Sequence, residues 1–359
     1  MNIQLPIVAH GRFKLIKHTG HKFDDAGNVI ELGRVLEETP FCDNVFTHYG
    51  SAFMVGDGTN TLSLSVSNSA APPTLDGYGP TPSGAVTRTS TTLVSSSTNR
   101  RADPDENGRV WWRSTYRFAF PIVPGGGIVE FRQAAAVVNS SASINTPSGP
   151  VSSGPVSIAP LIGPNGEESS VRVNTELEAF DLVWEFTEYV PNEVTGTVVG
   201  RTVDGMDVVL ASETYTWKVK PANFDNSSDP NQGWLPISGR DFPRTTTATN
   251  RVKVGVGEIG FADTQPTFTE FFNPDSVVKG IPVLQVPPVG ISVTLGFDST
   301  TTTETIDCAQ FMLGHTEWQV SFDPPIQKQA RHRLNLVLSL SVVDRDRYFV
   351  AARRTEAGS

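Results

Sequence analysis

Apolar and polar side chains alternate with period two through most of the chain, which predicts strands rather than helices. Over 111–120, Trp112, Tyr116, Phe118 and Phe120 share one face, and Arg113, Thr115 and Arg117 share the other. Over 177–187, Phe180, Leu182, Trp184 and Phe186 point one way while Asp181, Glu185 and Thr187 point the other. Tyr215, Trp217 and Val219 alternate with Thr214, Thr216 and Lys218. Ile291, Val293, Leu295 and Phe297 alternate with small or hydroxyl residues. Leu334, Leu336, Leu338, Leu340 and Val342 form the longest stripe, opposed by Asn335, Ser339 and Ser341. Successive strand residues face opposite sides of a sheet, so each run assigns one row to a core and the other to water.

Turn chemistry separates the runs. Asp25-Ala26-Gly27-Asn28, Asp105-Glu106-Asn107-Gly108, Pro164-Asn165-Gly166, Asp204-Gly205 and Asp229-Pro230-Asn231 supply residues that tolerate positive φ or preset it. Only 132–138 and 275–280 read as short helical pieces. The expected class is all-β: two antiparallel β-sandwich or barrel-like modules with long loops and little helix. The boundaries fall at 1–222 for an N-terminal module, 223–250 for a linker or crossover, and 251–359 for a C-terminal module. Within the first, 81–98 carries eleven Ser or Thr in eighteen residues. That stretch reads either as a long exposed loop or as an arm ordered by a neighbour. No repeat of 20–50 residues and no heptad pattern is present.

Composition narrows the function classes. The 28 Lys and Arg against 38 Asp and Glu leave a net charge of −10, the wrong sign for a chain that wraps nucleic acid. No apolar run approaches the roughly 18 residues that span a bilayer. The N-terminal 18 residues lack a signal peptide's apolar core, so synthesis and assembly in the cytosol are expected. Cys42 and Cys308 stand alone and read as reduced thiols packed in strands.

Several segments carry residue types that could do chemistry. Gly255-Val256-Gly257-Glu258-Ile259-Gly260 matches GxGxxG, but the next residues, Phe261-Ala262-Asp263-Thr264-Gln265-Pro266, cannot open the helix whose N-terminal amides hold a pyrophosphate. Asp103, Asp105 and Asn107 match the first half of a calcium loop, and Ser114 stands where the bidentate Glu belongs. They are the weak calcium candidate; a polar hairpin turn is the competing reading. His18 and His21 are spaced HxxH near Asp24 and Asp25, and they read as solvated turn histidines for want of further ligands. Glu176/Glu178 and Glu185/Glu188 are candidates for a glycosidase's carboxylate pair only by proximity in sequence; Glu176 and Glu178 share one strand face, and charge on a solvated face is the ordinary reading. Arg331, Arg333, Arg345, Arg347, Arg353 and Arg354 gather positive charge at the C-terminal end. They read as a solvated surface or, for Arg345, Arg347, Arg353 and Arg354 above all, as an interface to an acidic neighbour. No cofactor, catalytic residue or metal beyond the weak calcium candidate is expected.

One family resemblance emerges from the order of features. After an opening strand at 11–17 comes Pro40-Phe41-Cys42-Asp43-Asn44-Val45-Phe46-Thr47-His48-Tyr49-Gly50, which resembles the P-[WF]-x-[DN]-N-x-[IF]-T-x-x-G opening of phage tail and tail-fibre-associated proteins. Met54-Val55-Gly56-Asp57-Gly58 resembles their strand-turn, and the Arg113, Tyr116, Phe118, Phe120 strand is similar to theirs. Thr195-Gly196-Thr197-Val198 leading to Tyr215-Thr216-Trp217 and Pro221 resembles their closing hairpin. The resemblance covers about 1–222 and is carried by structural patterns. It implies a non-enzymatic virion subunit of a tailed bacteriophage: a tail adaptor, collar or tail-tip and fibre-attachment protein. Such a subunit has copies of itself in a ring or trimer and other tail proteins as partners, with no nucleic acid or membrane insertion. The alternatives are a receptor-binding module that takes a host surface glycan, and a capsid decoration or head-fibre protein.

Overall fold

The computed structural model describes residues 2–47, 50, 60–70, 86–101, 109–146, 149–166, 170–191, 194–203 and 209–224. In the C-terminal third it describes 252–258, 267–272, 276–279, 289–297, 304–313, 316–328 and 334–344. The chain opens with β1 (Asn2–His18), β2 (Lys22–Phe23), β3 (Val29–Glu31), β4 (Val35–Glu38), β5 (Cys42–Asp43) and β6 (Val45–Phe46). Then come β7 (Asn60–Ser67), β8 (Thr87–Ser90), β9 (Leu93–Arg101), β10 (Arg109–Phe120), β11 (Ile128–Phe131) and β12 (Gln133–Thr146). These lead into β13 (Gly149–Pro160), β14 (Val171–Asn174), β15 (Ala179–Pro191), β16 (Val194–Val203) and β17 (Val209–Phe224). The rest supplies β18 (Val252–Glu258), β19 (Thr267–Phe272), β20 (Ser276–Lys279), β21 (Val289–Phe297), β22 (Glu304–Leu313), β23 (Thr316–Lys328) and β24 (Leu334–Asp344).

A nine-stranded sheet runs β20-β21-β24-β1-β15-β10-β9, with β4 and β5 also bonded to β1. A five-stranded sheet runs β6-β13-β12-β7-β8, a six-stranded one β16-β17-β23-β22-β18-β19, and β11-β14 and β2-β3 are two-stranded ribbons. The fold is all-β, and every described pairing is antiparallel except β1 with β24. The expected 1–222 and 251–359 modules share sheets: β1 lies beside β24, and β17 beside β23. The hairpin expected from 195–198 and 215–217 is present, with Gly196 opposite Trp217 and Val198 opposite Tyr215.

Register explains the core. Phe13 lies opposite Trp184 and Leu15 opposite Leu182, while Tyr116 and Phe118 flank the same two residues from β10. One face of the large sheet is thereby an aromatic layer: Trp184 stacks with Phe13 at 6.2 Å and with Tyr116 at 5.8 Å, and Phe120 stacks on Phe180 at 4.5 Å. The layer meets the five-stranded sheet and the β11-β14 ribbon through Phe46 on Phe186 and Phe131 on Phe180. Burying each such ring contributes about 1.5–3 kcal/mol.

The Pro40–Gly50 motif is the crossover between these layers. Its β5 pairs with β1 and its β6 with β13. Asn44 Oδ1 accepts the Gly11 N–H at 2.8 Å while Asn44 Nδ2 donates to Ser157 Oγ. Gly50 donates its N–H to Thr47 Oγ1 at 3.0 Å, and a Cβ there would lie 2.4 Å from the Val156 carbonyl oxygen. These motif residues hold two sheets together.

Four expectations are corrected. The stretches expected as helical, 132–138 and 275–280, enter β12 and β20, since period two over Ala134, Ala136 and Val138 is met by pairing with β7. Of 81–98, residues 87–90 and 93–98 are strands bonded to β7 and β10 of the same chain rather than a loop or arm; residues 81–85 lie outside the described set. Asp181, Glu185 and Thr187 do not face water: all three are buried, because charged side chains from neighbouring strands reach over them. Glu176 and Glu178 sit at the turn between β14 and β15, not on one strand face, and Glu178 accepts the Asn174 N–H at 2.8 Å.

Candidate functional site

On the face of the large sheet opposite the aromatic layer, β1 ends at His18 and its chain turns back through Gly20 to His21 and the β2-β3 hairpin. Both imidazoles reach one carboxylate. Asp181 Oδ1 accepts from His18 Nε2 at 3.2 Å and from His21 Nε2 at 3.0 Å; Oδ2 accepts from His21 Nε2 at 2.9 Å and from Arg117 Nε at 2.6 Å. The two rings stack with centroids 4.0 Å apart. The carboxylate and the His21 ring are fully buried, and His18 nearly so. The expectation of solvated turn histidines is thus overturned: the turn folds onto β15 and β10, whose Asp181 and Arg117 pull the rings inside.

The other ring nitrogens decide the chemistry. His18 Nδ1 accepts the Gly20 N–H at 3.0 Å, and His21 Nδ1 accepts the Gly33 N–H at 2.9 Å. A neutral imidazole has one donor and one acceptor nitrogen, so each proton sits on Nε2 and points at Asp181. The ligand atoms of His18, His21 and Asp181 lie within 4.8 Å of one another, as a metal set does. A metal at Nε2, however, needs the lone pair there and the proton on Nδ1, where it is given to an acceptor. In both rings Nδ1 meets a backbone donor instead. The donor set fits a hydrogen-bonded tie and does not fit a metal centre.

Burial lowers the His21 pKa, against attraction and a hydrogen bond from Asp181, and the electrostatic influence of neighbouring His18 and Arg117 lowers it further. For Asp181, burial pushes upward, but the His18 hydrogen bond and the Arg117, His18 and His21 charges outweigh it and hold the carboxyl below its ordinary value. Beside this cluster opens a cleft of about 700 Å³, lined by His18, His21, Phe23, Leu32, Pro121 and Ile122 among others.

The chain matches no family model, no curated protein and no solved structure.

The remaining sequence candidates do not join this cluster. Gly255 and Gly257 lie in β18, where Gly257 donates its N–H to Asp307 Oδ1 at 2.9 Å as part of the sheet; Gly260 lies outside the described residues. Asp103, Asp105 and Asn107, the side chain of Glu188, and Arg331, Arg333, Arg345, Arg347, Arg353 and Arg354 also lie outside them. Glu185 is held between Arg12 at 2.6 Å and Arg113 at 3.2 Å. Asp24 caps its own turn, accepting from Ala26, Asn28 and Gly27, and those bonds lower its pKa. Both thiols are buried; desolvation raises Cys42, and with Asp307 nearby it pushes Cys308 up to about 12. Among the described residues no helix is long and apolar enough to cross a membrane.

Sequence reasoning found the two histidines but missed Asp181 and Arg117, which stand 160 and 96 residues or more away along the chain. The one local signal was an acid set between Phe180 and Leu182 in an otherwise aromatic strand.

Proposed function

We propose that this chain is a non-enzymatic structural subunit of a tailed-phage virion, a tail adaptor, collar or tail-tip and fibre-attachment protein that acts by symmetric self-assembly. The observation that carries the non-enzymatic part is the closure of the His18, His21, Asp181 and Arg117 cluster. Each imidazole spends both nitrogens on fixed partners, and the carboxylate takes four donor contacts, so the cluster fastens the β2-β3 hairpin to the sheet. The virion part rests on the resemblance over 1–222, whose 40–50 motif is inter-sheet scaffolding in this fold. The large sheet ends at β9 and β20 and the five-stranded sheet at β6 and β8, edges of the kind that neighbouring subunits extend. The in-chain pairing of 87–98 removes one reason for expecting a partner. The test is the mass of the purified full-length chain, followed by placement of that oligomer in images of the particle. A monomer at micromolar concentration would contradict the reading.

A second reading, glycan recognition, is favoured by one feature. Trp111 is half-buried with the Arg113 guanidinium 4.7 Å from its ring, on the face that also carries exposed Ser95, Ser97 and Asn99. Aromatic and amide groups together suit a sugar ring. Binding of the intact chain to an immobilised glycan panel, lost on Trp111→Ala, would favour this reading over the first.

A further inference from the structure

The β2-β3 ribbon is held by its neck rather than by its faces. Among the described sheets its two strands pair only with each other. Phe23, Ile30 and Leu32 on or beside it are 38%, 66% and 57% exposed, so its apolar side chains do little packing. A lone two-stranded hairpin is marginally stable by itself. The Asp24 N–H closes its tip on the Asn28 carbonyl at 2.9 Å, and Lys22 pairs with Glu31 along its flank, so it holds together as one piece. Two tiers of bonds form the neck. In the lower tier, Thr19 donates its N–H to the Arg34 carbonyl at 3.1 Å, and Thr19 Oγ1 accepts the Arg34 N–H at 3.0 Å. In the upper tier, His21 Nδ1 accepts the Gly33 N–H at 2.9 Å. Gly20, between the tiers, has a φ of +102°, a region glycine enters freely. Beyond the neck, Phe23 and Leu32 line the cleft from the ribbon side, and Pro121 and Ile122 line it from the end of β10.

We propose that the His21–Gly33 contact is an acid-released clasp: a proton on His21 frees the β2-β3 ribbon to swing about Thr19 and Arg34, opening the cleft while the sheets stay folded. The wiring sets the sign. Neutral His21 donates from Nε2 to Asp181 and accepts at Nδ1. In the imidazolium both nitrogens donate, so the added proton sits on Nδ1 and faces the Gly33 N–H, donor against donor. The Asp181 bond survives and gains charge, so His21 stays on β15 while Gly33 lets go. A proton on His18 acts on the hinge instead, because its Nδ1 accepts the Gly20 N–H at 3.0 Å. The charged groups around the rings are Asp181 from β15 and Arg117 from β10, which pair with each other at 2.6 Å. Along the cleft stand Lys22 and Glu31, also paired, and Arg34. The two rings stack 4.0 Å apart, so they accommodate one added charge more readily than two. Burial keeps His21 below its ordinary value while the clasp is shut, so proton uptake accompanies opening. Local opening of this kind draws on the least packed part of a fold. The clasp is independent of the assembly reading.

The experiment is hydrogen exchange of the full chain read by mass spectrometry from pH 7 to pH 5, corrected for the chemical exchange rate at each pH. A proton taken up at the ordinary 6.5 in the open state and excluded from the closed one raises the open fraction by at most about thirtyfold at pH 5. The expected result is a loss of protection of about three- to thirtyfold in peptides spanning 20–34, with β10 and β15 unchanged. His21→Asn, which does not titrate, should lose the pH dependence. A Cβ at Gly33 would collide with the Gly20 carbonyl, so Gly33→Ala should be open already at pH 7 and insensitive to acid. If His21→Asn loses protection in β10 and β15 as well, Gly33→Ala decides alone. A smaller than threefold change in the wild type, a loss that spreads equally through β10 and β15, or a pH dependence that persists in a folded variant would overturn the clasp.

Discussion

The imidazole of His21 and the carboxylate of Asp181 meet at 2.9 Å across 160 residues of sequence, and the far side of the same ring takes the Gly33 N–H at 2.9 Å. One side chain therefore joins β15, the turn after β1 and the loop after β3. Asp181→Asn removes the charge that Arg117 and both histidines are arranged around, and it presents an amide donor to groups that all donate. Breaking a buried charged pair by altering one partner costs about 3–5 kcal/mol. Chemical denaturation should show a loss of that order; a loss within about 0.5 kcal/mol, as for an ordinary surface change, would contradict the tie.

Acid should act on the same cluster in two windows. The folded-state pKa of His21 lies below its ordinary 6.5, so between the two values the unfolded chain binds more protons. This contribution to stability is present at neutral pH and lost as pH falls below 6.5. Asp181 is held below its ordinary 3.8, so its contribution is present above 3.8 and lost as pH falls through the folded value. Thermal melts between pH 7 and 3 should decline in both windows. His21→Asn, which keeps an acceptor near Gly33 but does not titrate, should flatten the first. A profile unchanged by that variant would count against the wiring.

How much of this was legible differs by level. The alternation over 180–186 gave the aromatic face of β15 directly, because a core row must be apolar whatever it packs against. The same alternation mis-assigned Asp181 and Glu185 to water. Polarity tells which face a residue occupies, not whether arginines on β10 and β1 will cover that face. The strands at 87–90 and 93–98 were hidden because Ser and Thr carry no apolar row; their pairing with β7 and β10 is decided by partners elsewhere in the chain. His18 and His21 were visible as a pair, yet their burial depends on Asp181, and nothing in a run of residues signals a contact 160 positions away. The 40–50 motif was legible as a pattern, and its meaning as an inter-sheet crossover appeared only once β5 and β6 were seen in different sheets.

Metal addition provides a separate check on the histidines. The backbone N–H groups of Gly20 and Gly33 keep both Nδ1 atoms as acceptors, so Nε2 holds its proton and offers no lone pair. Zinc at micromolar concentration should leave the melting temperature of the wild type where it is, and a chelator should do the same. A zinc-dependent rise that disappears in His18→Ala would mean the rings reorient, and the tie would have to be redrawn as a metal site.

The thiols should be silent in the folded chain. The thiolate is the reactive form, and burial beside Asp307 pushes Cys308 to about 12 while desolvation also raises Cys42. A maleimide or disulfide reagent at pH 8 should label neither residue in the native state and both in denaturant. Rapid native labelling of either one would show that its strand opens.

Asn44 makes the sharpest test of the crossover, because its two bonds run to different sheets. Its carbonyl oxygen holds the Gly11 N–H of β1 and its amide holds Ser157 of β13. Gly11 has no side chain because a Cβ would lie 2.9 Å from Asn44 Nδ2 and 3.0 Å from Trp184 Nε1. The nearby indole N–H of Trp184, itself buried without a partner, is a donor and cannot replace the lost acceptor. Asn44→Ala therefore strands a buried backbone donor, a cost of about 1–3 kcal/mol, and leaves a small void as well. Gly50→Ala attacks the same crossover from its other end, forcing a methyl against the Val156 carbonyl. If the crossover clamps the two layers, both variants should lower the denaturation midpoint, and hydrogen exchange should speed up in β1 and β13 together. Faster exchange in only one of those strands would mean the layers are held independently of this segment.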